Sequence, residues 1–391
     1  MIKRVLIIGA FLIVIVGGVW VWRGRGVSAE TPTSSIIASL SSPAVDGFAI
    51  ADQPNNIEFP RDLGAHDEYQ TEWWYYTGNL ASETGREFGF QFTIFRRAFE
   101  PPQPFTDDQS EWRTNQVYFV HFTVSDIENG GFYHSERYSR GSTQLAGAQS
   151  APYRVWVDDW FVEEQPDGTI QLSANGAQST EGEPYALNLT LTQTMAPILH
   201  GDGGLSAKSL EADNASYYYS LIQQEATGTV QVGDEVVAVT GKAWKDHEYS
   251  TSVLSEGAIG WDWFSLQFDD GSALMLFEIR KEDGSVEAAS SGTFVYPDGE
   301  TVDLLLGDWE LAVDDQWKSA STGGNYPVGW RVTVPRVGLD LTGNAKMNNQ
   351  ELTLTTGAYW EGAVEFEGTR DGDAISAEGY VEMTGYVEQS D

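Results

Sequence analysis

Alternation with a period of two residues dominates this chain. Phe88, Phe90, Phe92 and Ile94 are separated by Gly89, Gln91 and Thr93. Successive side chains of a strand leave on opposite faces, so a run of this kind has one face to bury. The pattern returns at Tyr118, Val120, Phe122 and Val124, at Leu187, Leu189 and Leu191, and at Trp330, Val332 and Val334. Turn sequences separate the runs: Asn129-Gly130-Gly131, Pro166-Asp167-Gly168, Gly233-Asp234, Asp269-Asp270-Gly271, Pro297-Asp298-Gly299 and Asp371-Gly372-Asp373. Gly, Asn, Asp and Pro supply the backbone angles that tight hairpins need. No amphipathic helical period stands out beyond the N-terminus. The pattern predicts an all-β fold of antiparallel hairpins, closed into barrels.

A chain of 391 residues is too long for one ordinary core, which points to two domains. An internal repeat says where they fall. The stretch WWYYTGNLASETGREFGFQFTIFRR (Trp73–Arg97) resembles WDWFSLQFDDGSALMLFEIRK (Trp261–Lys281). Each has an aromatic strand, an acidic-glycine turn, an apolar strand and a basic pair. The expected layout is a β-domain over residues 61–250 and a second over 251–391. Each has room for a barrel of roughly eight to ten strands.

The first residues read as an export segment. Lys3 and Arg4 precede an apolar run from Val5 to Trp22, followed by Arg23 and Arg25. The run is long for a signal-peptide core and just long enough to span a bilayer. Val27-Ser28-Ala29 also suits cleavage, so residues 1–26 are expected to be a signal anchor or a signal peptide. Residues 27–60, rich in Ser, Ala and Pro, read as a flexible linker. The protein is then expected to be anchored to the outer face of the cytoplasmic membrane through its N-terminal transmembrane helix, or secreted.

A net charge of -36 argues against nucleic acid, whose phosphates demand Lys and Arg. It predicts a hydrated, acidic, monomeric protein. The chain has no Cys, so disulfides, thiol nucleophiles and cysteine metal sites are excluded. The five His residues, at positions 66, 121, 134, 200 and 247, show no metal-ligand spacing. There is no serine-nucleophile elbow, phosphate loop or dinucleotide fingerprint. No metal and no cofactor are expected.

Two stretches concentrate the chemistry: EWWYYTGNL (Glu72–Leu80) and GKAWKDHEYS (Gly241–Ser250). So many rings need a large apolar space, either a core or a ligand cavity. Consecutive Trp73 and Trp74 point to opposite faces, so one of them at most lines a barrel interior. Glu72 suits an ion pair with Arg96 or Arg97 across the hairpin. Asp246-His247-Glu248 is the densest ionisable cluster beside aromatics. A carboxyl desolvated by indoles has a raised pKa and can protonate a double bond, and His247 could orient it or a water. The same triplet also suits an interdomain hydrogen-bond node. Asp262, between Trp261 and Trp263, is a further candidate acid; on a strand it faces away from both rings.

These two stretches, with YWEGAVEFEG (Tyr359–Gly368) and GYVEMTGY (Gly379–Tyr386), resemble the AttH-like / carotenoid 1,2-hydratase family. The resemblance runs from about Arg61 to Asp391. It implies two lipocalin-like domains with an apolar pocket for a hydrophobic small molecule. Family reactions include hydration of isolated carotenoid double bonds, hydration of a plant isoflavonoid, and Diels–Alder ring closure. The family commonly has Trp after Asp-His-Glu, where this chain has Tyr249. The candidate catalytic residues are Asp246, His247, Glu248 and Asp262. The candidate ligand-binding residues are Trp73, Trp74, Tyr75, Trp244, Tyr249, Trp261 and Trp263. Two functions remain open: cofactor-free hydration or cyclisation at an alkene, and non-catalytic carriage of lipids or pigments by a membrane-tethered lipocalin.

Overall fold

The computed structural model describes residues 45–103, 110, 112–177, 182–211, 213–251, 254–355 and 357–387. The expected N-terminal anchor and most of the expected linker lie outside the described residues. Among those described, no helix is long and apolar enough to cross a membrane. All of them fall within one compact unit.

The fold is all-β, as the alternation predicts, with two short 3-10 turns at Arg61–Leu63 and Pro335–Val337. The first sheet contains β1 (Thr71–Ala81), β2 (Glu87–Ala98), β3 (Gln116–Asp126), β4 (Gly131–Arg140), β5 (Ala146–Ser150), β6 (Tyr153–Val157), β7 (Trp160–Glu164), β8 (Ile170–Ala177), β9 (Pro184–Gln193), β10 (Ile198–Leu199), β11 (Leu205–Ala207), β12 (Ala215–Val232) and β13 (Glu235–Ser250). The second contains β14 (Ala258–Phe268), β15 (Ala273–Lys281), β16 (Ser291–Val295), β17 (Thr301–Leu305), β18 (Glu310–Lys318), β19 (Asn325–Val334), β20 (Leu339–Ala345), β21 (Glu351–Leu354), β22 (Gly357–Arg370) and β23 (Asp373–Met383).

Each sheet is an antiparallel meander that curls until its first strand pairs with its last. β1 lies between β2 and β13, and β14 lies between β15 and β23. The strand orders leave β4 and β5 at the edges of the first sheet, and β17 and β18 at the edges of the second. This is a lipocalin-like pair. The two copies of the internal repeat, β1–β2 and β14–β15, occupy the same place in their sheets.

Both curled interiors are filled. Trp74, Tyr76, Phe88, Phe90, Phe92 and Ile94 join Tyr118, Val120, Phe122, Leu187, Leu189 and Leu191 in one buried cluster. Trp330, Val332 and Val334 pack with Phe264, Trp360 and Phe366 in another. These are the runs whose alternation predicts a buried face. The opposite faces meet between the sheets, where Tyr75, Tyr218 and Trp244 pack on Trp263, Phe277 and Tyr380. The approach there is close enough to require Gly89, since a Cβ at that position would lie 2.8 Å from the Cβ of Ala363.

The described end of the expected linker does not behave as one. Ala49 N–H donates to the Glu68 carbonyl over 2.8 Å, and the Thr251 hydroxyl donates to the Ala49 carbonyl over 2.5 Å. Ala51 is buried against Tyr69, Tyr217 and Tyr249. Backbone hydrogen bonds and an aromatic wall hold the segment here, and Phe59 adds an edge-on contact with Tyr219, ring centroids 4.8 Å apart.

Candidate functional site

Strands β1 and β13 pair in register, with Trp73 opposite Glu248, Trp74 opposite His247 and Tyr75 opposite Asp246. Paired residues share a face, so this register sorts the candidates into two sets. Trp73, Tyr75, Asp246 and Glu248 face the seam between the sheets. Trp74, His247 and Tyr249 face the interior of the first sheet.

The seam holds a partly open cavity of about 110 Å³. Its walls are Trp73, Tyr75, Phe95, Tyr218, Trp261, Trp263 and Phe277, and Asp246, Glu248, Lys208 and Glu382 enter it. Asp246 is buried and accepts hydrogen bonds from the Tyr218 hydroxyl at 2.7 Å, from Trp244 Nε1 at 2.6 Å and from the Ser220 hydroxyl. None of these partners is a cation. Burial pushes the Asp246 carboxyl up to about 7, against the hydrogen bonds from Ser220, Tyr218 and Trp244. Glu382, on β23, is raised to about 7 as well, first by burial and further by the nearby Asp246 and Glu248. Each carboxyl makes ionisation of the other harder in this dry site, so both hold their protons to higher pH than a solvated carboxyl does.

Glu248 is chemically different from its neighbour. It accepts from the Ser216 hydroxyl at 2.5 Å and pairs with Lys208 Nζ at 2.7 Å. Lys208 also lies over the Phe277 ring, 4.5 Å from its centroid. Tyr75 donates to Glu361 Oε2 over 2.7 Å. Glu361 is fully buried, and burial raises its carboxyl well above the usual range.

On the interior face lies an ion network. Glu72 Oε2 accepts from Arg96 Nε at 2.8 Å, which is the cross-hairpin pair anticipated from spacing. Glu72 Oε1 is 2.7 Å from His66 Nδ1 and 2.8 Å from His247 Nε2. Asp62 Oδ1 lies 2.8 Å from His66 Nε2. Burial opposes charge on His66, yet the Glu72 and Asp62 carboxylates raise it to about 9. Burial likewise opposes charge on Glu72, but Arg96 and His66 win and hold it well below its ordinary value. His247 also contacts the Tyr219 hydroxyl through Nδ1 at 2.8 Å; burial lowers it to about 3. His66, Glu72 and His247 carry the donor types of a metal centre. The carboxylates are already met by cations, since Arg61, Arg96 and protonated His66 face Asp62 and Glu72. That arrangement fits an internal salt network better than a divalent cation.

The candidates therefore divide. Asp246 and Glu248 enter the seam cavity, and Trp73, Tyr75, Trp261 and Trp263 line it. His247 does not enter it, because it occupies the odd position between two seam-facing carboxyls. Tyr249 stacks on His66 with centroids 3.5 Å apart, on the interior face. Trp74 is buried in the first core and donates to the Leu63 carbonyl over 3.0 Å. Trp244 faces the seam but sits behind Asp246, to which it donates. Asp262 points away from the cavity to Arg280 at 3.1 Å and to the Tyr386 hydroxyl at 2.9 Å. The sequence reading missed Glu382, Glu361, Tyr218, Lys208, Ser220 and His200. Glu382 lies within GYVEMTGY, the stretch quoted for the family resemblance, and its period-two place on β23 was the available signal.

The AttH-like family model matches residues 50–386. The chain belongs to the AttH-like family. The match agrees with the resemblance read from its motifs. A crystal structure assigned to AttH from Nitrosomonas europaea is 35% identical and superposes with a TM-score of 0.72, covering 88% of this chain and 100% of that one. Kievitone hydratase from Nectria haematococca is 13% identical with a TM-score of 0.63, covering 87% of this chain and 98% of that one, and shares the fold. No curated protein sequence matches.

Proposed function

We propose that this AttH-like protein is a cofactor-free hydratase that adds water across a carbon–carbon double bond of an apolar, isoprenoid-like small molecule held in the seam. The reading rests above all on Asp246, a buried carboxyl with no cationic partner that opens into a cavity walled by indole and phenol rings. Such a carboxyl keeps its proton close to neutral pH and can give it to carbon.

In the proposed reaction the Asp246 O–H bond breaks as a C–H bond forms at the less substituted alkene carbon. The π electrons supply that bond and leave a cation on the other carbon. The faces of Trp73, Trp261 and Trp263 carry negative electrostatic potential and stabilise it. Water then attacks the cation, and its surplus proton passes to Glu382. A cavity of about 110 Å³ is smaller than the roughly 300–1,000 Å³ of sites that enclose drug-sized ligands. It suits the reacting end of a longer molecule whose remainder leaves through the open side. Family membership and the shared fold with a hydratase are consistent with this chemistry.

The test is incubation with linear and cyclic carotenoids and prenylated phenolics in water enriched in heavy oxygen. Product carrying one labelled oxygen is expected. Asp246→Asn is expected to lower the rate by about 10²- to 10⁴-fold, the usual worth of a general acid. Tight apolar binding without product, unchanged in Asp246→Asn, would replace this reading with a carrier.

A further inference from the structure

In the proposed cycle Asp246 gives its proton to carbon, while the proton released by water goes to Glu382 and from there to bulk water through the open side of the cavity. Asp246 therefore ends each turnover without a proton, behind a wall of rings. The structure contains a second route to it. Ser220, on β12, donates to Asp246 Oδ1. His200 Nε2 lies 2.6 Å from the Ser220 oxygen, and His200 Nδ1 lies 2.8 Å from the Thr293 hydroxyl. Thr293 belongs to β16 of the second sheet, so the chain of contacts crosses the seam. His200 is buried and its ring lies 4.3 Å from that of Tyr218, the other hydroxyl that holds Asp246. In the pairing of β16 with β17, Asp303 sits directly opposite Thr293. Cross-strand partners have Cβ atoms about 5 Å apart, and Asp303 is exposed.

We propose that Thr293, His200 and Ser220 form a proton wire that reloads Asp246 from the acidic surface at Asp303, with His200 as the positioning residue that joins the two sheets. The inference rests on the reading of Asp246 as the acid. Asp303 gives a proton to the Thr293 oxygen while the Thr293 proton moves to His200 Nδ1. The Nε2 proton moves to the Ser220 oxygen while the Ser220 proton moves to Asp246 Oδ1. Four bonds to hydrogen break and four form, and one proton has crossed the seam. Afterwards the wire has opposite polarity. With Asp246 ionised, His200 carries its N–H on Nε2; with Asp246 protonated, it carries its N–H on Nδ1.

His200 itself remains neutral in this scheme, because burial, with Lys208 adding to it, lowers the ring to about 3. The charged and titratable groups facing the wire are Lys208 and Glu248 at the rim and Glu382 from β23. Tyr218 stands beside Asp246, Lys245 lies on the reverse face of β13, and Asp202 and Arg336 stand near Asp303.

The experiment is nitrogen NMR of the full chain with labelled histidine, followed from about pH 5 to about pH 9, the range over which histidine sites are normally read. The expected result is a neutral His200 whose two ring nitrogens exchange donor and acceptor character as Asp246 titrates. Asp246→Asn is expected to freeze the tautomer. Ser220→Ala, which shortens one side chain and keeps the fold, should also freeze it. With a turned-over substrate, Ser220→Ala and Thr293→Val are expected to lower kcat on the order of tenfold with KM unchanged. A tautomer that is constant with pH in the natural chain, or one that still switches in Asp246→Asn, would overturn the wire. The resonances need no substrate. Loss of the hydratase reading alone leaves the tautomer switch in place and removes only the turnover.

Discussion

Glu72 and Asp246 lie three rungs apart in the β1–β13 ladder, both buried, on opposite faces of the same pair of strands. Burial alone pushes both carboxyls toward the neutral form. On the interior face Arg96 and His66 reverse that tendency, and Glu72 is held well below its ordinary range. On the seam face Asp246 meets hydroxyls and an indole N–H, and burial wins. Desolvation is common to both, so the partners decide whether a buried acid becomes a structural anion or a reservoir for a proton. A carboxylate held between cations stabilises the barrel, while one held among rings remains available for chemistry.

The largest consequence of this difference concerns stability. Glu72→Gln leaves Arg96 and protonated His66 buried without their shared anion, and removing one partner of a buried pair costs about 3–5 kcal/mol. Asp246→Asn replaces a carboxyl that already favours its neutral form with a neutral group of the same shape. Its expected cost is about 1 kcal/mol, the scale of one readjusted hydrogen bond. Denaturant melts of both variants at neutral pH check the contrast, and equal losses in the two would remove the distinction between the faces.

The pH dependence of folding should divide along the same line, with a somewhat smaller effect. Asp246 and Glu382 hold protons in the folded state that they lose in the unfolded chain above its ordinary carboxyl range. Their contribution to stability is therefore greatest in acid and declines as pH rises from about 4 to about 7. Asp62 and Glu72 are lowered, so their contribution is present above the ordinary carboxyl range and is lost as pH falls below that range toward their lowered folded-state values. His66 contributes fully below about 6.5, and its contribution disappears as pH rises through about 9. Melts of Asp246→Asn across this range should show a shallower decline between about pH 4 and about pH 7, with the alkaline loss through His66 retained. An unchanged profile would mean that Asp246 is ionised in the folded protein.

Much of the fold was legible in the sequence because alternation and turn chemistry are local. Phe88 to Ile94 and Trp330 to Val334 announce a buried face without any long-range information, and Asp269-Asp270-Gly271 announces the turn between β14 and β15. The repeat that starts at Trp73 and Trp261 gave the twofold plan. The site was less legible, because the face on which a side chain emerges depends on register between strands far apart in the chain. Asp246-His247-Glu248 reads as one cluster on paper, yet the pleat sends His247 into a salt network and its neighbours into the seam. Glu382 and His200 reach Asp246 only through pairings separated by many residues. Lys208, which neutralises Glu248, comes from a loop that no periodicity marks. The docking of residues 45–60 was hidden for a related reason: its partners, the Glu68 and Gly203 carbonyls and the rings of Tyr69, Tyr217 and Tyr249, come from elsewhere in the chain.

The smallest expected effect separates two indoles. Trp263 lines the seam cavity and donates from Nε1 to the Tyr218 hydroxyl over 3.1 Å, and that hydroxyl in turn donates to Asp246. Trp74 lies on the interior face, donates to a backbone carbonyl and touches no part of the cavity. Each becomes smaller and loses one donor in a Trp→Phe change, so the chemistry removed is the same. If the seam is where an apolar guest sits, Trp263→Phe should weaken binding of a polyene probe by about fivefold, which corresponds to about 1 kcal/mol for a lost hydrogen bond and some lost contact. Trp74→Phe should leave that affinity alone and lower the melting midpoint instead. Quenching of tryptophan fluorescence by the probe reads the first and a thermal melt the second. The opposite assignment, with Trp74→Phe weakening binding and Trp263→Phe leaving it intact, would move the guest out of the seam and into the first barrel. Asp246 would then lose its claim to the reaction, because no ligand inside that barrel could reach a carboxyl on its outer face.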